Sequence, residues 1–386
     1  MSIDMAEIDG DRVGTAVHET MRAARYHRVG APFSVDVIDR PSPRPHEVVV
    51  QVHACGLVPN YATVLEKLRD HPAISAPTLP AIYGLDPAGV IVEKGCLVHG
   101  LEIGDRVYAN PLRYCGSCRA CRRGQPTACD YGALSNYFGF GPKSAQTLAD
   151  YPYGGFAEFM VAPQESIVKL PPNVPFEVGA RWGYLGTGYG AVRAGNVDVN
   201  TTVLINGVSG TLGLGAALFA LAMGAPRIFG VGRNPELLER VKALAPDRID
   251  VLCAGEGSIS ERVRALTGGE GANVVIDALS TGSSAAAYLD AFGGLAKGGT
   301  HVNVGGVLEP VPLNMLMLVN EAQTLIGSLW FSTAQGQEMA DLAAMGRVTF
   351  DMFDTKVFPL EGLNTALSEL NFGCGGFTNY VICPQL

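Results

Sequence analysis

The stretch Val203 to Gly224, VLINGVSGTLGLGAALFALAMG, constrains this chain more than any other. It reads as an apolar strand, a glycine turn and an apolar helix closed by Gly224. Gly207, Gly210 and Gly213 stand where the strand must turn sharply, where a pyrophosphate must approach the backbone, and where the helix must pack on the sheet. Without side chains there, the first free helix amides can point at phosphate oxygens. The segments that follow alternate in kind. Arg227 to Val231 reads as a second strand and Asn234 to Leu244 as a capped helix with Pro235 at its first position. Asn273 to Asp277, Thr300 to Val304 and Thr324 to Ser328 are further apolar runs. Together they predict an α/β domain with a doubly wound parallel sheet that binds a dinucleotide.

The rest of the chain differs. Met1 to Thr20 reads as a polar extension, and Arg22 to Val52 holds two β-like runs, one of them Glu47 to Val52, split by the Pro41 to Pro45 turn. At 386 residues the chain suits two domains of different class. The net charge of -9 argues against nucleic acid or an anionic membrane as a partner, since neither footprint has its basic stripe. The start MSIDMAEIDGDR is acidic where a secretory signal is basic and then apolar, and no run approaches the roughly 20 apolar residues of a membrane span. A cytoplasmic protein is expected.

Nine cysteines, an odd number, point to metal or free thiols and away from a disulfide framework. Cys115, Cys118, Cys121 and Cys129 follow the spacing C-x2-C-x2-C-x7-C. Four thiolates suit tetrahedral zinc and leave no open position, the mark of a structural site. A ferredoxin-type cluster run has a shorter last gap followed by Pro; redox-active or merely buried thiols are the other readings. Cys55, Cys96, Cys253, Cys374 and Cys383 lack such spacing and read as core or inert surface residues.

Several short motifs occur in a telling order: Ala54-Cys55-Gly56, Gly84-Leu85-Asp86-Pro87-Ala88-Gly89-Val90, Gly104-Asp105-Arg106-Val107, the four cysteines, Gly155-Phe156-Ala157-Glu158, Thr187-Gly188-Tyr189-Gly190, the glycine turn, and Gly327-Ser328. In this order the chain from Met21 to Leu386 resembles the medium-chain dehydrogenase/reductase superfamily, which includes zinc alcohol dehydrogenases and quinone oxidoreductases. The resemblance implies a GroES-like β-rich catalytic domain with the zinc lobe over 21–177, an NADP-binding Rossmann domain over 178–325, and a return to the catalytic domain over 326–386, after an extension over 1–20. It also implies a homodimer or homotetramer.

The departures fall where that family holds its catalytic metal. Its three ligand positions map onto Val58, Leu85 and Gly183, none of which offers an N, S or O side-chain donor. The expectation is therefore one structural zinc and no catalytic zinc. Gly84-x-Asp86-x-Ala88-Gly89 is similar to the zinc-free quinone and enone reductases. In NAD-using members an acid ends the second strand and bonds the ribose hydroxyls. Here Gly232 stands in its place, followed by Arg233 and Asn234, which makes room for a 2′-phosphate and offers it a charge-assisted fork, so NADP(H) is expected. Thr187 and the Val304-Gly305 pair are expected beside the nicotinamide.

Hydride transfer to a plain ketone loses its electrophile without the metal, whereas an α,β-unsaturated carbonyl or quinone develops an enolate that hydrogen-bond donors can steady. NADPH-dependent reduction of an activated double bond or a quinone is thus expected. Asn60 and Tyr61 are the candidate donors and Asp86 the group that would orient either one. Val58, Leu85, Trp182, Tyr184 and Trp330 are pocket candidates, and the aromatics between Tyr131 and Tyr153, Tyr137 among them, form a cleft rim, a self-pinned loop or a subunit contact. A metal-independent carbonyl, imine or alcohol oxidoreductase is the alternative, and a non-catalytic NADP-binding member the second.

Overall fold

Runs of Val, Ile and Leu flanked by helices on both faces leave no room for polar side chains, and they form the central sheet of the nucleotide half. The computed structural model describes residues 19–66, 69, 71–370 and 372–386, with 372–374 described by backbone alone. Up to residue 18 the N-terminal extension lies outside these residues, as does the Cys374 side chain. The six parallel strands run in the order Ile249–Cys253, Arg227–Gly232, Thr202–Asn206, Ala272–Asp277, Leu295–Asn303, Thr324–Gly327. This is the doubly wound order. Its direction reverses between Thr202–Asn206 and Ala272–Asp277, where such sheets open a ligand crevice at their carboxyl ends. Val203, Leu204 and Ile205 are fully buried at that centre.

The other half is built on Glu47–Gly56, longer than its sequence pattern suggests. Its sheet runs Ile167–Lys169, Arg106–Ala109, Asp86–Lys94, Glu47–Gly56, Thr378–Ile382, Asp354–Phe358, with Phe159–Pro163 also paired to Glu47–Gly56. The last two strands in sequence thus return to the sheet that the first half of the chain begins. Short strands Leu112–Arg113, Ala133–Leu134 and Phe138–Gly139 bracket the cysteine lobe.

Two seams join the halves. Gly376 donates its amide to Ser209 O at 2.7 Å, seating the return segment on the glycine turn. Buried Asn110 accepts from the Trp330 indole at 2.9 Å and holds that residue at a φ of 58°, a left-handed conformation that a bulky side chain rarely adopts. No helix among the described residues is long and apolar enough to cross a membrane.

Candidate active site

The glycine turn opens at the carboxyl end of Thr202–Asn206. Gly207 has a φ of 84°, open to glycine at little cost, and a Cβ at Gly213 would come within 2.7 Å of Val208 Cα. The helix Thr211–Ala222 therefore starts against the strand end, with its first amides lacking carbonyls four residues back. A pyrophosphate fits this cradle, because backbone donors converge where side chains are excluded. At the next strand end Gly232 is buried, while Arg233 is exposed and makes no ion pair among the described residues. Asn234 caps the helix Pro235–Lys242: its Oδ1 accepts from the amides of Glu236 at 2.9 Å and Leu237 at 3.1 Å. Only its Nδ2 is left for a ligand.

Val304 and Gly305 both donate their amides to Asp277 O, at 3.0 and 2.8 Å. The Asp277 carboxylate accepts from Asn206 Nδ2 at 2.8 Å; burial pushes it up to about 6, against the pull of that bond. This pair ends the two strands at the switch point and was not among the sequence candidates, although a polar residue closing each of two apolar runs marks it.

The four cysteines converge. Their Sγ atoms lie within 4.8 Å of one another, and three neighbouring pairs stand 3.6 to 3.8 Å apart. Tetrahedral Zn–S bonds of about 2.3 Å require sulfur edges of about 3.8 Å, so the cluster fits zinc. Amides of Cys115 and Tyr131 donate to Cys129 Sγ and that of Cys118 to Cys115 Sγ, each at 3.3 Å, which favours thiolates. Among the described residues this is the one gathering of three or more potential metal ligands.

Asn60 sits exposed between Glu47–Gly56 and the short helix Tyr61–Glu66. Its Oδ1 accepts from the Tyr137 hydroxyl at 2.7 Å and the Tyr184 hydroxyl at 3.1 Å. Tyr184 opens the helix Trp182–Ala194, so this one side chain ties the lobe's rim to the nucleotide half. Thr187, on the same helix, donates its hydroxyl to Gly183 O at 2.7 Å and leaves its methyl for other contacts.

Four candidates sit otherwise than expected. Tyr61 is fully buried, not lining an open cleft, and its hydroxyl accepts the Leu85 amide at 3.1 Å; desolvation raises its pKa well above the usual phenol range. Asp86 orients neither Asn60 nor Tyr61: its Oδ1 accepts from the Tyr108 hydroxyl at 2.8 Å, and its Oδ2 has no partner. Trp182 is core, packed on Phe350 and donating its indole N–H to Gly336 O at 3.1 Å. Trp330 likewise spends its indole N–H on Asn110.

The three positions onto which the resemblance maps metal ligands are packed. Val58 and Leu85 are 1% and 2% exposed. Gly183 is filled from across: a Cβ there would lie 2.6 Å from both Cγ and Oδ2 of Asp86. Desolvation pushes Asp86 up to about 7, opposed by the Tyr108 hydrogen bond, the Arg181 charge and the Gly183 amide. Arg181 is itself buried, donating to Gly376 O and to Thr378 O, the latter at 2.9 Å.

Residues 44–172 match the family model described as the alcohol dehydrogenase GroES-like domain, and 211–345 that of the zinc-binding dehydrogenases. An alcohol dehydrogenase of Geobacillus stearothermophilus is 31% identical over 353 residues, 91% of this chain and 96% of the relative. A NAD-dependent alcohol dehydrogenase of Sulfolobus acidocaldarius is 29% identical, over 92% and 97%. The crystal structure of AibC superposes with a TM-score of 0.80 at 26% identity, covering 98% and 99% of the two chains. A GroES-like domain joined to a Rossmann domain defines the class as a two-domain dehydrogenase. The chain belongs to the zinc-binding dehydrogenases of the medium-chain dehydrogenase/reductase superfamily and is an oxidoreductase.

Proposed function

We propose that this protein reduces an activated C=C bond, or a quinone, with NADPH, and that Asn60 supplies the donor a catalytic zinc would otherwise provide. The observation that carries the reading is the amide of Asn60, whose oxygen is held by Tyr137 and Tyr184. Its two N–H donors are left over, and Val58, Leu85 and Gly183 offer no metal ligand.

NADPH, when bound, supplies the hydride. The glycine turn's amides would hold its pyrophosphate, and Thr187, Val304 and Gly305 would border its nicotinamide. As hydride reaches the substrate's β-carbon, charge gathers on the carbonyl oxygen as an enolate. Asn60 Nδ2 donates to that oxygen; one such preorganised donor is worth about 3 kcal/mol in a transition state. The α-carbon then takes its proton from water, since Tyr61 is enclosed and the Tyr184 proton is held by Asn60. Burial and the Asp86 charge raise the Tyr184 pKa, so the phenol keeps its proton at neutral pH.

The cofactor preference rests on Gly232 and Arg233, even though the Sulfolobus acidocaldarius relative is named NAD-dependent. Ser209 Oγ would lie 3.1 Å from a Cβ at Gly232, so a hydroxyl also faces this corner. Arg233→Ala is expected to lower kcat/KM for NADPH about 10- to 100-fold, the worth of a charge-assisted fork, while barely moving NADH. A wild-type preference for NADH would overturn the assignment.

For the reaction, enones, quinones and simple ketones are assayed side by side. Enones or quinones should turn over best, and Asn60→Ala should lower kcat about 100-fold. A best substrate among simple ketones would point to the carbonyl alternative, and tight NADPH binding without any turnover to a binding role.

The reading extends to a homo-oligomer in a reducing cytoplasm. The strand Thr324–Gly327 ends its sheet, and Met315, Leu316 and Val319 on the preceding helix are 66%, 65% and 75% exposed, which supports pairing with a second copy. A monomer in sedimentation at micromolar concentration would remove it.

A further inference from the structure

We infer that Tyr137 and Tyr184 act as a pair that fixes which end of the Asn60 amide meets the substrate, a positioning role that rests on the donor role proposed for Asn60. An amide carries an acceptor on one side and a donor on the other in nearly the same shape. Turning it by half a revolution exchanges them, and the side chain alone has no preference.

The two phenols decide the matter. Each carries one O–H, and neither has another acceptor among the described residues. With Oδ1 toward them, both protons are accepted and Nδ2 is free. In the reverse orientation Nδ2 would donate to both phenol oxygens, and only half-buried Tyr184 could turn its proton to solvent. For Tyr137, 2% exposed, that means an unsatisfied hydroxyl inside the protein.

Neither ring can easily follow a turning amide. Tyr137 is wedged edge-on against Tyr61, with ring centres 5.2 Å apart at 75°, and tilts on Phe138 at 5.3 Å. Tyr61 is in turn pinned by the Leu85 amide. Tyr184 stands on the first turn of its helix, next to Gly183. Desolvation raises the pKa of both phenols, so both remain donors across neutral pH.

A locked amide makes the site one-sided. It offers N–H groups to an oxygen that gains charge, as in reduction. It offers no oxygen to an alcohol that must lose its proton, as in oxidation.

Neutron diffraction on deuterated wild-type crystals reads the orientation without any substitution. Deuterons on both phenols directed at Oδ1, and two on Nδ2 directed away from them, are expected. Nitrogen facing the phenols would overturn the inference whatever the kinetics. In solution Tyr137→Phe should lower kcat about 3- to 10-fold, the worth of one hydrogen bond, with the KM for NADPH unchanged. Tyr137→Phe with Tyr184→Phe should approach Asn60→Ala. Adding Tyr137→Phe to Asn60→Ala should cost nothing further, because the group being positioned is gone. An equal loss in both backgrounds, or none in the wild type, would overturn the positioning role. A full kcat in Asn60→Ala with the deuterons as expected would instead refute the donor reading and, with it, the catalytic consequence of the lock.

Discussion

The cysteine lobe and the packed floor of Val58, Leu85 and Gly183, the first drawn from one stretch of chain and the second from both halves of the molecule, differ in what they offer a metal. In the lobe, four thiols drawn from 115 to 129 stand at tetrahedral spacing with amides aimed at the sulfurs. On the floor, positions 58, 85 and 183 come from three distant segments, and none carries a ligand atom. The floor is nevertheless not a damaged site. Val58 and Leu85 are core, and Asp86 fills the space beside Gly183. A short loop with few apolar side chains depends on its ion, whereas a floor inside a sheet can be rebuilt from ordinary packing.

The lobe should show the largest effect. Cys129→Ser is expected to take bound zinc from about one equivalent per chain to near none and to lower Tm on the order of 10 °C. An unchanged Tm in the metal-free variant would break the contrast, since the lobe would then stand on packing as the floor does.

The floor is probed next by Gly183→Cys. The new side chain meets Asp86, so overpacking should cost about 1–3 kcal/mol, read in denaturant melts, with no second zinc gained. A tightly held second equivalent would show the floor to be a latent metal site.

The smallest effect sharpens the role of Asp86. Folded, its carboxyl holds a proton up to about pH 7, against an ordinary value of 3.8. Between those values the folded protein binds more protons than the unfolded chain, so this group's contribution is most favourable at low pH and is lost as pH rises through about 7. Asp86→Asn should flatten the fall in Tm between about pH 4 and 7. A slope unchanged by the substitution would mean that burial does not hold Asp86 in this state.

What could be read from the sequence divides along the same line. The glycine turn and the cysteine lobe were legible because each is written in residues close together, three glycines over seven positions and four cysteines over fifteen, whereas the edge strand Ile249–Cys253 was not among the runs read from the sequence. The partners of Asn60 lie 77 and 124 residues away, so the clamp was out of reach even though Tyr137 and Tyr184 were both singled out as aromatics. Tyr61 was read as a donor and Trp182 as a pocket wall because an aromatic ring with one polar atom suits a cleft and a core equally well. Only their partners, the Leu85 amide and the Gly336 carbonyl, decide for the core. Tyr108 reached Asp86 by strand pairing, beside the register Ala88 to Tyr108, which no local pattern announces.

The close approach of Asp86 to Gly183 also bears on how such a chain could change. Placing a thiol at 183 first requires the carboxylate to leave, while removing the carboxylate first opens a void beneath a bare backbone. Positions 86 and 183 thus share one volume, and a designer wishing to change either would have to move both residues at once.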